Sequence, residues 1–532
     1  MLVFLPVVVL AVASLAVLVM RQAKVSIGYI WLIALAGSFA AWLILLVINW
    51  DTIPAYSSQF WNLPGDMGYP IGFGFDQFSW PFAFALSSLL LAVLLTSTVR
   101  FHFQSDPLTW AFSVLIGAAG ILAAAANTPL AFVLTWTLVD FLEIAMLGLV
   151  GGAKALQQRN IISSLARIGG IFMVLWAMIS SRREGLVLNL SLAAPPQSIL
   201  LLLAAALRLG VVPLHLAYTS EPLTRRGLGT MLRLVPPAVS LVLLSRLPAA
   251  VVPPDAAVTV LIFCILAAGY GAFMWMVTRE DLEGRPYWLL AVAGLAIASG
   301  VRGQPEAIPV LGTAMVLVGG LIFLFSDFRK PFRVILLIGF AGMTALPYTP
   351  AAGSLTGLTV FPFNLLDVFF ILVFAVLLSG TFFHMFRRRE EQTVERWMLA
   401  VYGAGLILLV VSHWLTGLLV LKVTPRPGVW WVSLVSTFLA VLIILAYRWW
   451  QKSGLPIFLR NDPRLAAVRK GTQVFADVLR LDWLYTIFGW VLRLLQSLVQ
   501  FLTRLLEGEG GVLWTLLLIV LLASFIAMGG SK

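Results

Sequence analysis

The chain has a single cysteine, Cys264, in 532 residues. One thiol excludes a disulfide framework and a cysteine-based metal site within the chain. Charge is also scarce: Asp, Glu, Lys and Arg make up 11% of the sequence, against about 25% in soluble domains. No His/Cys cluster, serine elbow or nucleotide fingerprint occurs. The glycines of Gly68–Asp76 (GYPIGFGFD) are followed by no lysine and preceded by no strand pattern, so they do not form a phosphate loop. Nothing here points to a redox centre, a hydrolase site, a metal or a cofactor, and no catalytic centre of the chain's own is expected.

What the sequence has in excess is apolar surface. Hydrophobic residues are 61% of the chain, and they come in blocks such as Met1–Met20 and Ile27–Asn49. A bilayer core needs about 20 apolar residues per helix, so the sequence predicts an all-α polytopic membrane protein. About sixteen spans are expected, beginning near Met1, Ile27, Gln77, Pro107, Pro129, Asn160, Gln197, Leu228, Ala256, Tyr287, Glu306, Lys330, Asn364, Arg396, Gly428 and Gly511. Met1–Met20 lacks a basic start and a small-residue cleavage site, and is expected to be a retained helix.

The net charge of +12 is read as loop asymmetry, not as a nucleic-acid surface. Loops after odd-numbered spans carry Arg21, Lys24, Arg100, Lys154, Arg159, Arg225, Arg226, Arg279, Arg285, Arg329, Lys330 and Arg387–Arg389. Loops after even-numbered spans carry only Arg182, Arg183, Arg302, Lys422 and Arg426. The loop from Asp51 to Asp76 has no Lys or Arg. The positive-inside rule then puts the basic loops in the cytoplasm and both termini outside, in the inner or plasma membrane of a prokaryote.

Four regions are expected: N-terminal helices over 1–126, a core of helices over 127–450, a cytoplasmic segment over 451–510 and a last span over 511–532. The third begins basic and polar, from Asp462 to Arg480. From Asp482 to Glu507, polar or small residues recur at Asp482, Thr486, Gly489, Arg493, Gln496, Gln500, Arg504 and Glu507. A stripe at helical spacing predicts a lateral amphipathic helix that lies along the membrane.

Prolines Pro213, Pro236, Pro237 and Pro347 fall inside apolar blocks, where each removes a helix hydrogen bond. Broken helices at membrane depth often mark transport sites. Ionisable residues inside spans cost about 2.5–3.5 kcal/mol each to insert. Here they are Asp140, Glu143, Arg167, Arg208, His215, Arg233, Asp367, His384 and His413. Asp140 and Glu143 share a helix face. Histidine is a natural proton relay, whereas arginine keeps its charge and tunes a neighbouring carboxylate. Plainer readings stand beside these. Arg167 and Arg233, near span ends, fit snorkelling to the interface; Asp140 and Glu143 fit static partners of Arg167 or Arg208; His384 and His413 fit packing roles.

Four segments, in order, resemble the antiporter-like membrane subunits of respiratory complex I, a family shared with multi-subunit cation/proton antiporters and membrane-bound hydrogenases. FGFDQFSWPFAFALSSLLLAVLLTS from Phe73 resembles the family's V-D-G-L-S-x-x-F, with Asp76 and Ser79 matching. ARIGG from Ala166 resembles N-R-x-G-D, with Arg167 and Gly169 matching and Gly170 replacing the acid. RLGVVPLHLAYTSEPLTRRGLGTMLR from Arg208 resembles the broken helix K-x-A-x-x-P-L-H-x-W-L-P and the helix after it. Pro213, Leu214 and His215 fall on P-L-H, Arg208 on the family's lysine and Arg233 on a later histidine. GFAGMTALPYTPAAGSL from Gly339, with Pro347, resembles the second broken helix. The span number and lateral helix are closest to the largest such subunit.

The family's buried glutamate directly follows a Trp. Here Thr137 follows Trp136, and the nearest acids are Asp140 and Glu143. After Pro347 no lysine stands where the family's distal exit group lies; Ser354, Leu355 and Thr356 occupy that stretch. The resemblance implies a proton- or sodium-translocating subunit of a complex I-type assembly, a membrane part of an NADH–quinone oxidoreductase-like translocase, with other membrane subunits and the bilayer as partners. Asp140, Glu143, Arg208, His215 and Arg233 would line the ion route, and Arg167, Pro213 and Pro347 would shape it. A subunit of a cation/proton antiporter or of an ion-gradient-driven uptake complex, and a non-conducting scaffold that kept the fold without the relay, remain alternatives.

Overall fold

The computed structural model describes residues 2–48, 54–58, 69–100, 106–151, 158–218, 226–249, 252–326, 329–359, 363–387, 394–421, 430–453, 482–507, 515–521 and 524. Two compact units are present, Met1–Leu459 and Arg460–Lys532.

The first unit is helical apart from one short hairpin. Its helices are α1 (Leu5–Gln22), α2 (Ile27–Val47), α3 (Trp80–Thr96), α4 (Pro107–Ala125), α5 (Pro129–Gly151), α6 (Gln158–Arg183), α7 (Pro195–Leu209) and α8 (Arg226–Ser245). They continue with α9 (Pro254–Val277), α10 (Asp281–Val301), α11 (Ala307–Leu324), α12 (Lys330–Met343), α13 (Ala352–Thr356), α14 (Leu365–Met385), α15 (Arg396–Leu415) and α16 (Trp430–Lys452). Among the described residues, 12 helices are long and apolar enough to cross a membrane.

Each of the first fifteen expected spans has a helix, but three are not among those 12. Helix α7 has 15 residues and α12 has 14, because each stops at a break. Helix α10 starts at Asp281, ahead of the expected Tyr287, and its first turns carry Asp281, Glu283 and Arg285. The expected span from Gly511 lies largely outside the described residues, as does the basic segment Asp462–Arg480.

Helix starts follow local chemistry. Proline opens α4, α5, α7 and α9, where its missing N–H costs nothing. Asp106 caps α4 through the Leu108 amide, and Asn364 with Asp367 forms a reciprocal capping box on α14. Asp76 caps the entry to α3 by accepting from the amides of Phe78 and Ser79 at 3.0 and 2.8 Å. Its carboxylate also meets Arg246 at 3.0 Å. The hairpin pairs β1 (Tyr56–Ser58) antiparallel with β2 (Ile71–Phe73). A Cβ on Gly72 would sit 2.1 Å from Asn127 Oδ1 and 2.7 Å from Thr128 Cγ2, so a side chain there would displace both.

Burial runs from the centre outward. Every residue of α11 is buried, and α3, α8 and α10 are nearly so. These helices pack on one another, with α15 also against α3 and α11. The outer helices keep large apolar side chains exposed, among them Phe141, Phe172, Trp176, Leu266, Phe438 and Trp449. An exposed apolar girdle around a close-packed centre is how a bundle meets lipid, where helices associate by packing and not by hiding from water.

Two helices break inside this unit. Helix α7 ends at Gly210, which has φ 78°. A Cβ there would lie 2.2 Å from the His215 carbonyl oxygen, so only glycine fits the turn. The second break lies between α12 and α13, around Pro347. Ala345 and Tyr348 hold left-handed backbone there, at φ 56° and 65°, a conformation that non-glycine residues adopt at a cost. Pro236 and Pro237 do not break α8, which runs through them unbroken.

In the second unit, α17 (Asp482–Glu507) is one continuous helix of 26 residues. Trp483, Ile487, Trp490, Leu494, Leu498 and Phe501 remain exposed on it, so its apolar face has the character expected of a helix resting on a membrane or a partner.

Candidate functional site

Helices α5 to α8 converge on the first break and bring five ionised side chains together. Asp140 and Glu143 project from one face of α5, Arg167 from α6, Arg208 from the last turn of α7 and Arg233 from α8. None is more than 5% exposed.

Arg208 engages Asp140 with both terminal nitrogens: Nη1 donates to Oδ2 at 2.7 Å and Nη2 to Oδ1 at 3.0 Å. This bidentate geometry is the strong form of the pair. Its Nε donates to Ser240 Oγ at 3.2 Å, and Nη1 also donates to the Arg167 carbonyl at 3.2 Å. The guanidinium lies 4.3 Å from the centre of the Trp136 ring, a cation–π contact in a dry setting. Arg167 Nη1 donates to Asp140 Oδ1 at 3.3 Å and, at closer range, to Glu143 Oε2; its Nη2 reaches Ser164 Oγ at 3.2 Å. Arg233 Nη1 donates to Glu143 Oε1 at 2.7 Å.

The result is a chain of ion pairs, Arg208–Asp140–Arg167–Glu143–Arg233, in which all four carboxylate oxygens accept from guanidinium groups. Arg167 and Arg233 do not snorkel: each is 2% exposed and turned inward onto an acid. Arg167 lies well inside α6, which begins at Gln158, and Arg233 is enclosed by neighbouring helices.

Gly170 makes room for this arrangement. A Cβ on it would lie 2.5 Å from Arg208 Cγ and 2.7 Å from the Ala204 carbonyl oxygen. The long arginine thus occupies space that a side chain at 170 would fill.

The break after α7 presents two further polar groups. His215 is 2% exposed. Its Nδ1 lies 2.9 Å from the Pro213 carbonyl, which accepts; Nδ1 therefore carries the proton, and Nε2 is the basic nitrogen. That Nε2 is buried without a hydrogen-bond partner, as is the hydroxyl of Tyr218. The Tyr218 ring lies 5.2 Å from the Arg167 guanidinium.

The other sequence candidates lie elsewhere. Asp367 ion-pairs with Arg302 while capping α14. His384 stacks on Trp275 at 3.7 Å and contacts the Trp275 carbonyl through Nε2 at 2.7 Å. His413 Nε2 lies 3.3 Å from the Gly342 carbonyl. Pro347 sits in the second break. Trp136, Tyr218 and Ser240 belong to the neighbourhood of the five ions but carry no formal charge, so an inventory of ionisable residues passes over them. Among the described residues no group of His, Cys, Asp and Glu could hold a metal ion.

No protein-family model matches the chain, and no curated protein matches it in sequence. Solved structures do match in fold. A chain of the Mrp complex from Dietzia sp. superposes with a TM-score of 0.66 at 14% identity, covering 100% of this chain and 63% of its own length. A chain of respiratory complex I from Thermus thermophilus gives 0.57 at 17% identity, covering 78% of this chain and 98% of that one. A chain of the membrane-bound sulfane sulfur reductase, an archaeal respiratory membrane complex, gives 0.66 at 14% identity, covering 98% and 100%. This chain therefore has the fold of membrane chains found in such complexes, and it spans less than two thirds of the Mrp chain.

Proposed function

We propose that this protein is an ion-translocating, antiporter-like subunit of a multi-subunit membrane complex, and that the ion it moves is the proton. The observation that carries this reading is the buried ion-pair chain Arg208–Asp140–Arg167–Glu143–Arg233 beside the break in α7. Every carboxylate oxygen there is already engaged by a guanidinium. A sodium ion needs several bare oxygens at once, whereas a proton needs one oxygen released from one arginine.

His215 Nε2 is the nearby base with an open lone pair. A proton reaching Glu143 or Asp140 would neutralise that acid and loosen its arginines, and loss of the proton would restore the pairs. Arg208 and Arg233 do not exchange protons themselves; they set how readily the acids do. The basic loops support cytoplasmic placement of the odd-numbered connections and external termini.

One observation favours a second reading, a non-conducting scaffold. The family's ionisable lysine is replaced by an arginine that never deprotonates, and its bidentate grip suits a static lock between α5 and α7. Ion pumping by reconstituted vesicles of the complex separates the two. Transport lost in Arg208→Ala with assembly intact supports conduction. Unchanged pumping in Asp140→Ala/Glu143→Ala/Arg208→Ala, with assembly intact, rejects it.

A further inference from the structure

The two helix breaks share a pattern. At the first, His215 donates from Nδ1 to the Pro213 carbonyl and keeps Nε2 buried without a partner. At the second, the histidine is His413, supplied by α15 and not by the broken helix itself. Its Nε2 lies 3.3 Å from the carbonyl of Gly342, in the last turn of α12. The carbonyl accepts, so Nε2 carries the proton and Nδ1 is the basic nitrogen. That Nδ1 is buried with no hydrogen-bond partner, and His413 as a whole is 2% exposed.

The histidine is fitted to the break. A Cβ at position 342 would lie 2.9 Å from His413 Cδ2 and 3.2 Å from Nε2, so glycine lets the imidazole reach the helix end. The Gly342 carbonyl also accepts from the Ala351 amide at 3.1 Å, which ties the two sides of the break together. Just beyond His413, α15 passes into a π-helical turn, Thr416–Val420, a form frequent at functional sites. Gly417 in that turn rests on the same break: a Cβ there would lie 2.5 Å from Pro350 Cα.

Other titratable groups on the neighbouring elements are remote. Helices α3, α11 and α12, the turn Ser97–Arg100 and the π turn pack on α15. Helices α3 and α11 and the π turn carry no titratable side chain. Lys330 and Arg333 belong to the first turn of α12, about 14 Å or more along the helix from Gly342. Arg100 follows Thr98, whose hydroxyl bonds the Met398 carbonyl, about four turns of α15 from His413. Tyr348, in the break, is 76% exposed.

Resting on the proton reading above, we propose that His413 is a second proton-exchange group, serving the break around Pro347 as His215 serves the break after α7. A broken helix at membrane depth can line a wet cavity. The proton is taken up at Nδ1 from water admitted at the break and returned from Nδ1. No other bond forms or breaks, and nothing is oxidised or reduced.

The test measures proton transport across a range of pH in proteoliposomes of the whole complex. His413→Gln keeps a side-chain N–H to offer the Gly342 carbonyl and removes the titrating nitrogen. The variant is expected to assemble and to melt like the native complex, but to carry protons at least about tenfold more slowly and with a changed pH profile. If it does not assemble, Gly342→Ala, which pushes a methyl against the imidazole, is read by the same two criteria. A native rate, or a slower rate with the native pH profile, overturns the proposal. A native complex that moves no protons overturns the proton reading and this inference with it. A conducting native complex with an unaltered variant overturns this inference alone.

Discussion

Arg208 and Asp140 face each other across α7 and α5 with two guanidinium–carboxylate bonds, of 2.7 and 3.0 Å, and neither is more than 5% exposed. The pair is buried enough that removing one partner strands the other. Arg208→Ala should therefore cost about 3–5 kcal/mol of stability, read as a lower midpoint of thermal unfolding in detergent. Asp140→Ala combined with Arg208→Ala should cost less than the sum of the two single changes. Strict additivity would show that the pair is not coupled.

Conservative replacement separates charge from geometry. Arg208→Lys keeps a cation but loses the fork that reaches Asp140, Ser240 and the Arg167 carbonyl. A conducting subunit should retain proton transport in this variant, because a buried lysine can itself exchange a proton. Transport would be followed by a pH-sensitive dye inside proteoliposomes of the complex; retained assembly with abolished transport would contradict the tuning role of Arg208.

Gly170→Ala puts a methyl 2.5 Å from Arg208 Cγ. Overpacking of this kind costs about 1–3 kcal/mol. Part of the loss comes from Arg208 Cγ and Cδ, so Gly170→Ala should cost less beside Arg208→Ala, which removes both atoms, than alone; the 2.7 Å approach to the Ala204 carbonyl oxygen accounts for the rest. Unfolding midpoints of the two single variants and the double variant decide this.

Topology has a clean chemical test, since the one native thiol, Cys264, is buried. Cysteines introduced at Gln59 and at Arg388 should react with an impermeant maleimide from opposite sides of the membrane. Reaction of both from one side would overturn the orientation read from the basic loops.

The exposed apolar face of α17 suggests a bracing role. Truncation before Asp482 should weaken recovery of partner subunits more than it weakens insertion of the remaining helices. Full copurification of all partners with the truncated chain would remove that role.

Much of the helical plan was legible because the span signal is local: about twenty apolar residues must run together wherever lipid is crossed. Both breaks were legible too, from Pro213 and Pro347 inside apolar blocks. The start of α10 was not. Asp281, Glu283 and Arg285 read as loop, yet in the fold they open the helix, and Asp281 and Arg285 are buried. Snorkelling at Arg167 and Arg233 failed for a related reason. Distance from a span end is a property of one helix, whereas burial depends on which neighbours cover it. The sequence placed Asp140, Glu143 and Arg208 in dry segments, but which nitrogen meets which oxygen is decided by four helices packing at once. Gly170 looked only like a lost acid until Arg208 was found lying over it.

Helix α11 touches lipid nowhere in the folded unit, for every residue from Ala307 to Leu324 is buried and α3, α8, α10 and α15 pack around it. Yet its mean hydropathy of 2.3 is enough for it to enter a bilayer alone. Insertion into lipid precedes helix association, and α15, which packs on α11 and α3, follows α11 in the chain. The surrounding helices must therefore close after α11 is already in the membrane. During synthesis the segments α3, α8 and α10 must wait for it, partly solvated by lipid, with Arg233 and Arg285 still short of their final surroundings. Biogenesis of this protein thus has a vulnerable interval that lasts until α15, ending at Leu415, has been inserted.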